Sequence, residues 1–584
     1  MTAEKVQNLP PNDTPPHDRD GEGDQEKRST DQGEEGSTTT TEIKIPPGRS
    51  RAQTAVLMLA LCMAVFLAAL DAVIITTALP TIAREVGASD SGFAWIGAAY
   101  LLANAASVPF WGRLSDVFGR KPILVLADAV FMVGSVASAL ARAPGPLVAG
   151  RAVQGLGGGG LMALVNITVS DLFSPRGRGA YFGVIGAVWG LASGIGPLIG
   201  GGLTEVVSWR WCFWVNLPIA GASLVILVFF LHVHAPRTPL FRGLATIDWL
   251  GALTFTGATL MLLLGLQFGG VRDPWDSPTV VCLLVFGAVG YGVFALVERS
   301  ARYPLMPGSL FRNRSVVACY AADFCHGLGF AAVAFFLPLY FQAVLGAGPV
   351  QSGVWLLATA LPLAACTVGV GVAIKRTGRY VEIVRGSMAL SAVAFGLFVT
   401  LPARRDWPRL VLFQVVAALG VSPNLQALLI AVQVQVRPGD VAAATAAFAF
   451  VRHVALGTGV VVGQVIFQSV VGRHAGRMAE AGVPREVAAS LGAGSAIAAH
   501  GVVVEALAEA QKEVVRAAVA DGISKLWIFF CVASGVGLAA TFFVRQVELS
   551  REHTETRTGL KAEEAQVVED ERTRVRATKG DSGV

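Results

Sequence analysis

Fourteen apolar runs, each close to twenty residues or longer, follow one another along this chain and leave few folds open to it. They cover 54–78, 93–113, 123–141, 147–172, 179–203, 212–233, 247–268, 279–298, 316–341, 353–374, 383–402, 409–434, 442–471 and 525–546. About 20 residues of helix cross a hydrocarbon core about 30 Å thick, so each run is long enough to span a bilayer. Backbone groups in lipid must bond within their own segment or within a closed barrel. These runs are continuous and do not alternate, which argues against a barrel. The fold class expected is an all-α polytopic membrane protein.

Composition agrees with that class. Of 584 residues, 53% are hydrophobic and 15% are charged, against about 25% charged in soluble domains. Residues 1–53 are polar and rich in Pro, Gly and acid, and are expected to form a disordered cytoplasmic tail. Without an apolar leader there, the first span itself directs insertion. Residues 547–584 form a second charged, cytoplasmic tail. The spans divide into two six-helix halves, 54–233 and 316–546, with 234–315 linking them and carrying spans seven and eight. Segment 472–524, long and Ala-rich, is expected outside the cytoplasm, with a helical stretch near Val503–Val519. Lys and Arg are about twice as frequent in one set of short loops as in the other, which places the N-terminus in the cytoplasm; an even span count returns the C-terminus there.

Several function classes drop out. The net charge of +5 supplies no basic stripe for nucleic acid. Seven cysteines occur, none in a Cys-x-x-Cys pair; they read as small core hydrophobes, with no metal or disulfide framework. No Gly-x-x-x-x-Gly-Lys-Ser/Thr loop supports ATP-driven pumping. No cofactor is expected, and no enzymatic activity.

Chemistry concentrates in four places in the first half. Between spans two and three runs Trp111-Gly-Arg-Leu-Ser-Asp-Val-Phe-Gly-Arg-Lys-Pro122. Gly112 and Gly119 permit close helix approach and a tight reversal. Asp116 lies across that reversal from Arg120 and Lys121, and a carboxylate near a membrane needs a charge partner. Span four opens with Arg151 and, one turn on, Gln154; an uncompensated intramembrane Arg costs about 2.5–3.5 kcal/mol, so a carboxylate partner or a wet cavity is expected. Span one holds such a carboxylate, Asp71, able to gain and lose a proton. Span five carries Gly190, Gly194, Gly196, Pro197, Gly200 and Gly201, which give small-residue faces and a kink.

On these strings the chain resembles the major facilitator superfamily. Gly-x-x-x-Asp-x-x-Gly-Arg-Lys-Pro is similar to that family's signature loop, which implies a cytoplasmic gate built from Gly112, Asp116, Gly119, Arg120 and Lys121. Arg151-Ala-Val-Gln-Gly155 looks like its Arg-x-x-Gln-Gly motif, which implies proton transfer. Gly196-Pro-Leu-Ile-Gly-Gly201 looks like the antiporter motif of its drug exporters. Leu70-Asp-Ala-Val-Ile-Ile-Thr-Thr-Ala-Leu-Pro80 is similar to the span-one motif of fourteen-span drug:proton antiporters, although Val73 stands where that motif has Thr. Further matches, from Ser208–Pro218 to Tyr340–Gly346, extend the resemblance over 54–546, and it is to fungal drug and secondary-metabolite exporters. The family fold has two six-helix halves, here with two extra central helices.

In the second half, Asp323 and His326 sit three apart on one face of span nine, a candidate proton-linked pair. Asp323, His326, Phe336, Tyr340 and Gln426 are the candidate substrate cavity, with Phe335, Phe336 and Tyr340 as platforms for a flat ligand. The reading is a proton-coupled exporter of amphipathic organic molecules, with Asp71, Arg151 and Gln154 coupling the proton. Its expected partners are a small-molecule substrate, protons and the bilayer, with no nucleic acid. It is expected to work as a monomer in the plasma membrane; a vacuolar or vesicle membrane gives the same topology. Rival readings are a proton-coupled importer of a siderophore or nutrient, and a transporter-like receptor that does not turn over.

Overall fold

In the computed structural model of the chain, the described residues are 50–233, 236, 238–270, 273–484, 487–488, 507–552 and 559, all within the unit Lys44–Val584. Among them there is no strand, only an isolated bridge between Gly269 and Asp273. The first group of helices is α1 (Arg51–Glu85), α2 (Asp90–Phe118), α3 (Arg120–Leu140), α4 (Pro144–Leu172), α5 (Arg178–Val206), α6 (Trp211–Trp214) and α7 (Asn216–Phe230). Then come α8 (Leu240–Ala245), α9 (Trp249–Phe268), α10 (Pro278–Ser300) and α11 (Ser309–Arg312). The second group is α12 (Arg314–Ala343), α13 (Pro349–Thr377), α14 (Val381–Phe398), α15 (Trp407–Val421), α16 (Asn424–Gln433), α17 (Val441–Arg473), α18 (Ala475–Glu480) and α19 (Glu509–Thr541).

Local chemistry sets the helix ends. Ser50 and Gln53 form a capping box at the start of α1. Ser89, Asp248, Ser277 and Asp406 cap α2, α9, α10 and α15 through side-chain oxygens. Gly378, at φ 73°, ends α13 in the left-handed region. Pro423 has no N–H to continue α15, so the chain breaks between α15 and α16, although together they form one span, Trp407–Gln433.

Thirteen helices of the described residues are long and apolar enough to cross a membrane. The remaining expected run, 93–113, lies in α2, a helix of 29 residues, longer than the about 20 that cross a bilayer. The last helix also differs from expectation. It starts at Glu509 and not near 525, because Val515, Ala518 and Val519 bury against Phe467, Val471 and Met478. The helical stretch expected near Val503–Val519 is thus the first turns of α19; its residues 503–506 lie outside the described set.

In the first group α1 packs on α5 and α7, and α4 fills the space between α2 and α3. In the second, α12 packs on α17 and α19, and α14 on α15 and α19. Two seams join the groups, α5 with α13 and α2 with α17. The α9–α10 hairpin covers the second seam: Trp249 of α9 meets Phe110 of α2 at 5.7 Å and Phe255 meets Phe450 of α17 at 4.6 Å between ring centroids. The outer face of α10 exposes Val281, Val285, Phe286, Val289 and Leu296, an apolar stripe that suits hydrocarbon and not water.

Candidate functional site

Four sets of polar or glycine residues occupy the buried regions of these helices. The first surrounds Asp71 on α1. Its Oδ2 accepts from Arg151 Nη1, and its Oδ1 accepts from Gln154 Nε2 at 2.7 Å and Asn216 Nδ2 at 3.0 Å. Arg151 Nη1 also donates to Gln154 Oε1 at 2.8 Å, and Gln154 Nε2 reaches Ser135 Oγ at 2.8 Å. Asp71 and Arg151 expose 0% and 1% of their side chains. The guanidinium lies 4.5 Å from the Tyr100 ring centroid, and the Tyr100 hydroxyl donates to Ala68 O at 2.9 Å. The glycine run of α4 makes this approach possible: a Cβ at Gly155 would lie 2.8 Å from Tyr100 Cα, and one at Gly157 2.7 Å from Phe131 Cα. The structure thus brings together Asp71, Arg151 and Gln154. Asn216 and Ser135, which complete the cage, carry no signal in sequence beyond being polar residues in apolar runs.

The second set is the turn between α2 and α3. Gly119 takes φ 93°, which favours glycine, and lets α3 begin at the next residue. Arg120 Nη1 pairs with Asp116 Oδ1 at 2.6 Å and bonds Ser115 Oγ at 2.6 Å. Its Nε pairs with Asp171 Oδ2 at 2.6 Å, at the end of α4. Asp171 carries no signal in the sequence, because it stands 51 residues from Arg120. Lys121 does not face Asp116; it donates to Val228 O of α7 at 2.6 Å. Gly112 faces the other group of helices, where a Cβ would stand 3.1 Å from Ala446 Cβ of α17. At this same end Arg176 donates to Lys375 O at 2.9 Å and Arg376 O at 2.6 Å. Arg178 donates to Gln433 Oε1 at 2.9 Å. The two groups are therefore stitched together at the Arg120 end.

The glycines of α5 divide between two neighbours. Gly190 and Gly194 face α13, where a Cβ would meet Leu363 Cδ2 at 2.5 Å and Ala360 Cβ at 2.6 Å. Gly196 and Gly200 face α1: a Cβ on Gly196 would fall against Val73, and one on Gly200 would lie 2.9 Å from Thr77 Oγ1 and closer still to the Ile74 carbonyl. Gly201 leaves ordinary space, 3.9 Å to Thr77 Oγ1. Thr77 Oγ1 donates to Pro197 O at 3.1 Å, tying α1 to the proline.

The fourth set belongs to the second group. Asp323 and His326 are both buried and make no bond with each other. Asp323 Oδ1 takes Arg452 Nε at 3.1 Å and Nη2 at 2.6 Å, from α17. His326 Nε2 donates to Val421 O at 3.0 Å. Gln426 lies against α5, its Nε2 3.2 Å from where a Cβ on Gly186 would be. Phe336 and Tyr340 do not join this set. Phe336 is sealed in the packed core near Gly463 and Phe530, and the Tyr340 hydroxyl donates to Pro402 O at 2.5 Å. Phe335 is exposed on the outer surface. Spacing along a helix placed these aromatics near Asp323 but did not say which way the helix faces. Arg452, 129 residues from Asp323, is the partner that spacing along span nine does not reveal. No group of three or more His, Cys, Asp or Glu able to hold a metal occurs among the described residues.

A chain with buried ion pairs between long helices, a charged stitch at one end and glycine-lined seams has the parts of a transporter. The sequence matches the Major Facilitator Superfamily over residues 61–460. It is 43% identical over 517 residues to "Efflux pump dotC" of Dothistroma septosporum, covering 88% of each chain. It is 43% identical over 537 residues to "MFS-type transporter ppz2" of Metarhizium majus, covering 92% of each, and 34% identical over 523 residues to "Efflux pump FUS6" of Gibberella fujikuroi, covering 88% of this chain and 93% of that one. Among solved structures, the human organic anion transporter MFSD10 superposes with a TM-score of 0.53 at 18% identity, over 85% of this chain and 100% of that one, a likeness of fold. The chain is a multi-pass membrane protein and belongs to the major facilitator superfamily.

Proposed function

We propose that this transporter exports amphipathic small organic molecules, such as drugs, toxins or fungal secondary metabolites, in exchange for protons by alternating access. The observation that carries the reading is the glycine-faced α5, which contacts both α1 and α13. A helix with small residues on two faces can slide against both partners while staying packed. The relatives named efflux pumps support the outward direction.

In this reading Asp71, Arg151 and Gln154 couple the proton. Protonating Asp71 removes the charge that holds Arg151, so proton binding favours one conformation over the other, as coupling requires. Asp116, Arg120 and Gly112, with Gly119 shaping the turn, close the cytoplasmic end, and Lys121 braces α3 on α7. The first six-helix half, 54–233, and the second, 316–546, rock about the seams, with the two central helices riding on α2 and α17. The substrate rests between them beside Asp323, His326 and Gln426. The protein works as a monomer with both termini in the cytoplasm, in the plasma membrane.

Direction is the test. Vesicles carrying the protein accumulate a labelled exported compound when their lumen is acid, because protons leave as it enters, and do not when the exterior is acid. Accumulation only with an acid exterior means that solute and proton move together, and makes it an importer.

A further inference from the structure

The polar cluster around Asp323 holds more hydrogen-bond acceptors than its own helices use. We propose that Asp323 Oδ2 is the atom for which a proton and a hydroxyl of the exported molecule compete, and that this molecule is an aromatic compound bearing several hydroxyl groups. The proposal rests on the export reading above and adds to it a ligand class and an exchange atom.

The two buried carboxylates differ in one respect. Both oxygens of Asp71 are filled, by Arg151, Gln154 and Asn216. In Asp323 both Arg452 bonds go to Oδ1, and Oδ2 has no partner among the described residues. Three neighbours share this condition. His326 Nε2 bonds a carbonyl and must carry the hydrogen, so its unpartnered Nδ1 is a bare lone pair. Asn424 has neither side-chain atom bonded, and Gln426 Oε1 is free as well. The side chains concerned are 0%, 4%, 0% and 8% exposed for Asp323, His326, Asn424 and Gln426. Buried polar atoms are normally paired. Four acceptors, Asp323 Oδ2, His326 Nδ1, Asn424 Oδ1 and Gln426 Oε1, are buried without a partner among the described residues, beside the amide donors of Asn424 and Gln426. Such a set suits a ligand that donates from several hydroxyls.

Position agrees with a ligand subsite. The cluster sits at the break between α15 and α16, where Arg452 Nη1 holds Leu425 O at 3.0 Å and Nη2 holds Asn424 O at 3.4 Å. Broken helices at membrane depth occur where they line a site. Gln426 reaches α5 across the seam. Next to it Trp189 of α5 meets Phe330 of α12 at 4.9 Å between ring centroids, and Phe330 lies 6.3 Å from the His326 ring. Aromatic faces thus border the acceptors on the side where the two groups of helices meet.

Exchange follows from the geometry of one oxygen. A protonated Oδ2 is a donor and does not accept from a hydroxyl. When the ligand binds, the Oδ2–H bond breaks, its proton leaves to water, and the hydroxyl donates to the carboxylate in its place. Among the described residues the only charged partner of Asp323 is Arg452; the other titratable groups close by are His453 on α17 and Cys319, Tyr320 and His326 on α12.

The test uses the full-length protein in detergent, with a trihydroxystilbene and its tri-O-methyl ether as probes. Their phenols stay neutral at the pH used. The wild type binds the trihydroxy probe with release of about one proton into weakly buffered solution, and affinity falls about tenfold per pH unit once Asp323 is protonated. The ether binds more weakly and releases none. Asp323→Asn abolishes the release and the pH dependence; the double variant Asp323→Asn with Arg452→Gln, which leaves no charge unpaired, does the same. Equal proton release with both probes, or release that persists in both variants, overturns the proposal, as does a wild type that does not bind the trihydroxy probe. Release that depends on Asp323 in a protein whose vesicles show no export sinks the export reading and leaves this one standing; export whose proton release is indifferent to Asp323 does the reverse.

Discussion

Arg151 of α4 and Asp71 of α1 form an ion pair with almost no exposure, 1% and 0% of their side chains. Gln154 and Asn216 take up the remaining oxygen. Removing one member of such a pair strands the other. Arg151→Ala is therefore expected to destabilise the protein by about 3–5 kcal/mol, read as a lower melting temperature in detergent. The double variant Asp71→Asn with Arg151→Gln leaves no charge stranded and melts close to the wild type. Equal destabilisation by both would mean that packing, not charge, holds this site.

Gly200 and Gly201, two of three adjacent glycines near the end of α5, make a matched comparison. A methyl at Gly200 has nowhere to go, with the backbone of Ile74 against it, whereas one at Gly201 meets only Thr77 at ordinary distance. Gly200→Ala is expected to cost about 1–3 kcal/mol and to lose most transport. Gly201→Ala stays within about 0.5 kcal/mol and keeps transport. Vesicle uptake and thermal melting of the two variants side by side check this.

Neighbouring cations in the turn after α2 should behave differently. Arg120 is 3% exposed and pairs with both Asp116 and Asp171. Lys121 contributes one exposed bond to Val228 O. Arg120→Ala is expected to lose several kcal/mol, about 3 or more, and to lower the amount of folded protein. Lys121→Ala changes stability by about 0.5 kcal/mol or less. A larger loss for Lys121 in a melting assay would contradict the pairing described.

Arg176 stitches the first group of helices to the end of α13 through two carbonyls. Arg176→Ala is expected to weaken the closed end by about 1 kcal/mol, a roughly fivefold shift toward opening. A cysteine placed near that end would label faster with a membrane-impermeant thiol reagent from the cytoplasmic side. An unchanged labelling rate would show that the Gly112–Ala446 packing closes the end without it.

Particular residues show what was legible in the chain and what was not. Span positions followed from long apolar runs, because lipid demands them. Asp71, Arg151 and Gln154 were found because charge in an apolar run is rare, and their meeting followed from the cost of leaving any of them alone. Asn216, Ser135 and Asp171 carry no signal because their polarity is ordinary and their partners lie 145, 19 and 51 residues away. Phe336 and Tyr340 illustrate the opposite error. An aromatic in a helix has a position in sequence but no readable direction, and the packing of α12 turned both into the core. The free oxygen of Asp323 is a property of three helices meeting at a break, which no single segment encodes.

Proton flux through the wild type and Asp71→Asn is the most direct measurement. Inside-out vesicles are loaded with acid and a pH-sensitive dye, then given drugs and fungal metabolites. The account predicts that an exported compound collapses the gradient in wild-type vesicles, and that Asp71→Asn, folded and inserted to the same level, does not respond. A variant that collapses the gradient as fast as the wild type contradicts proton coupling through Asp71.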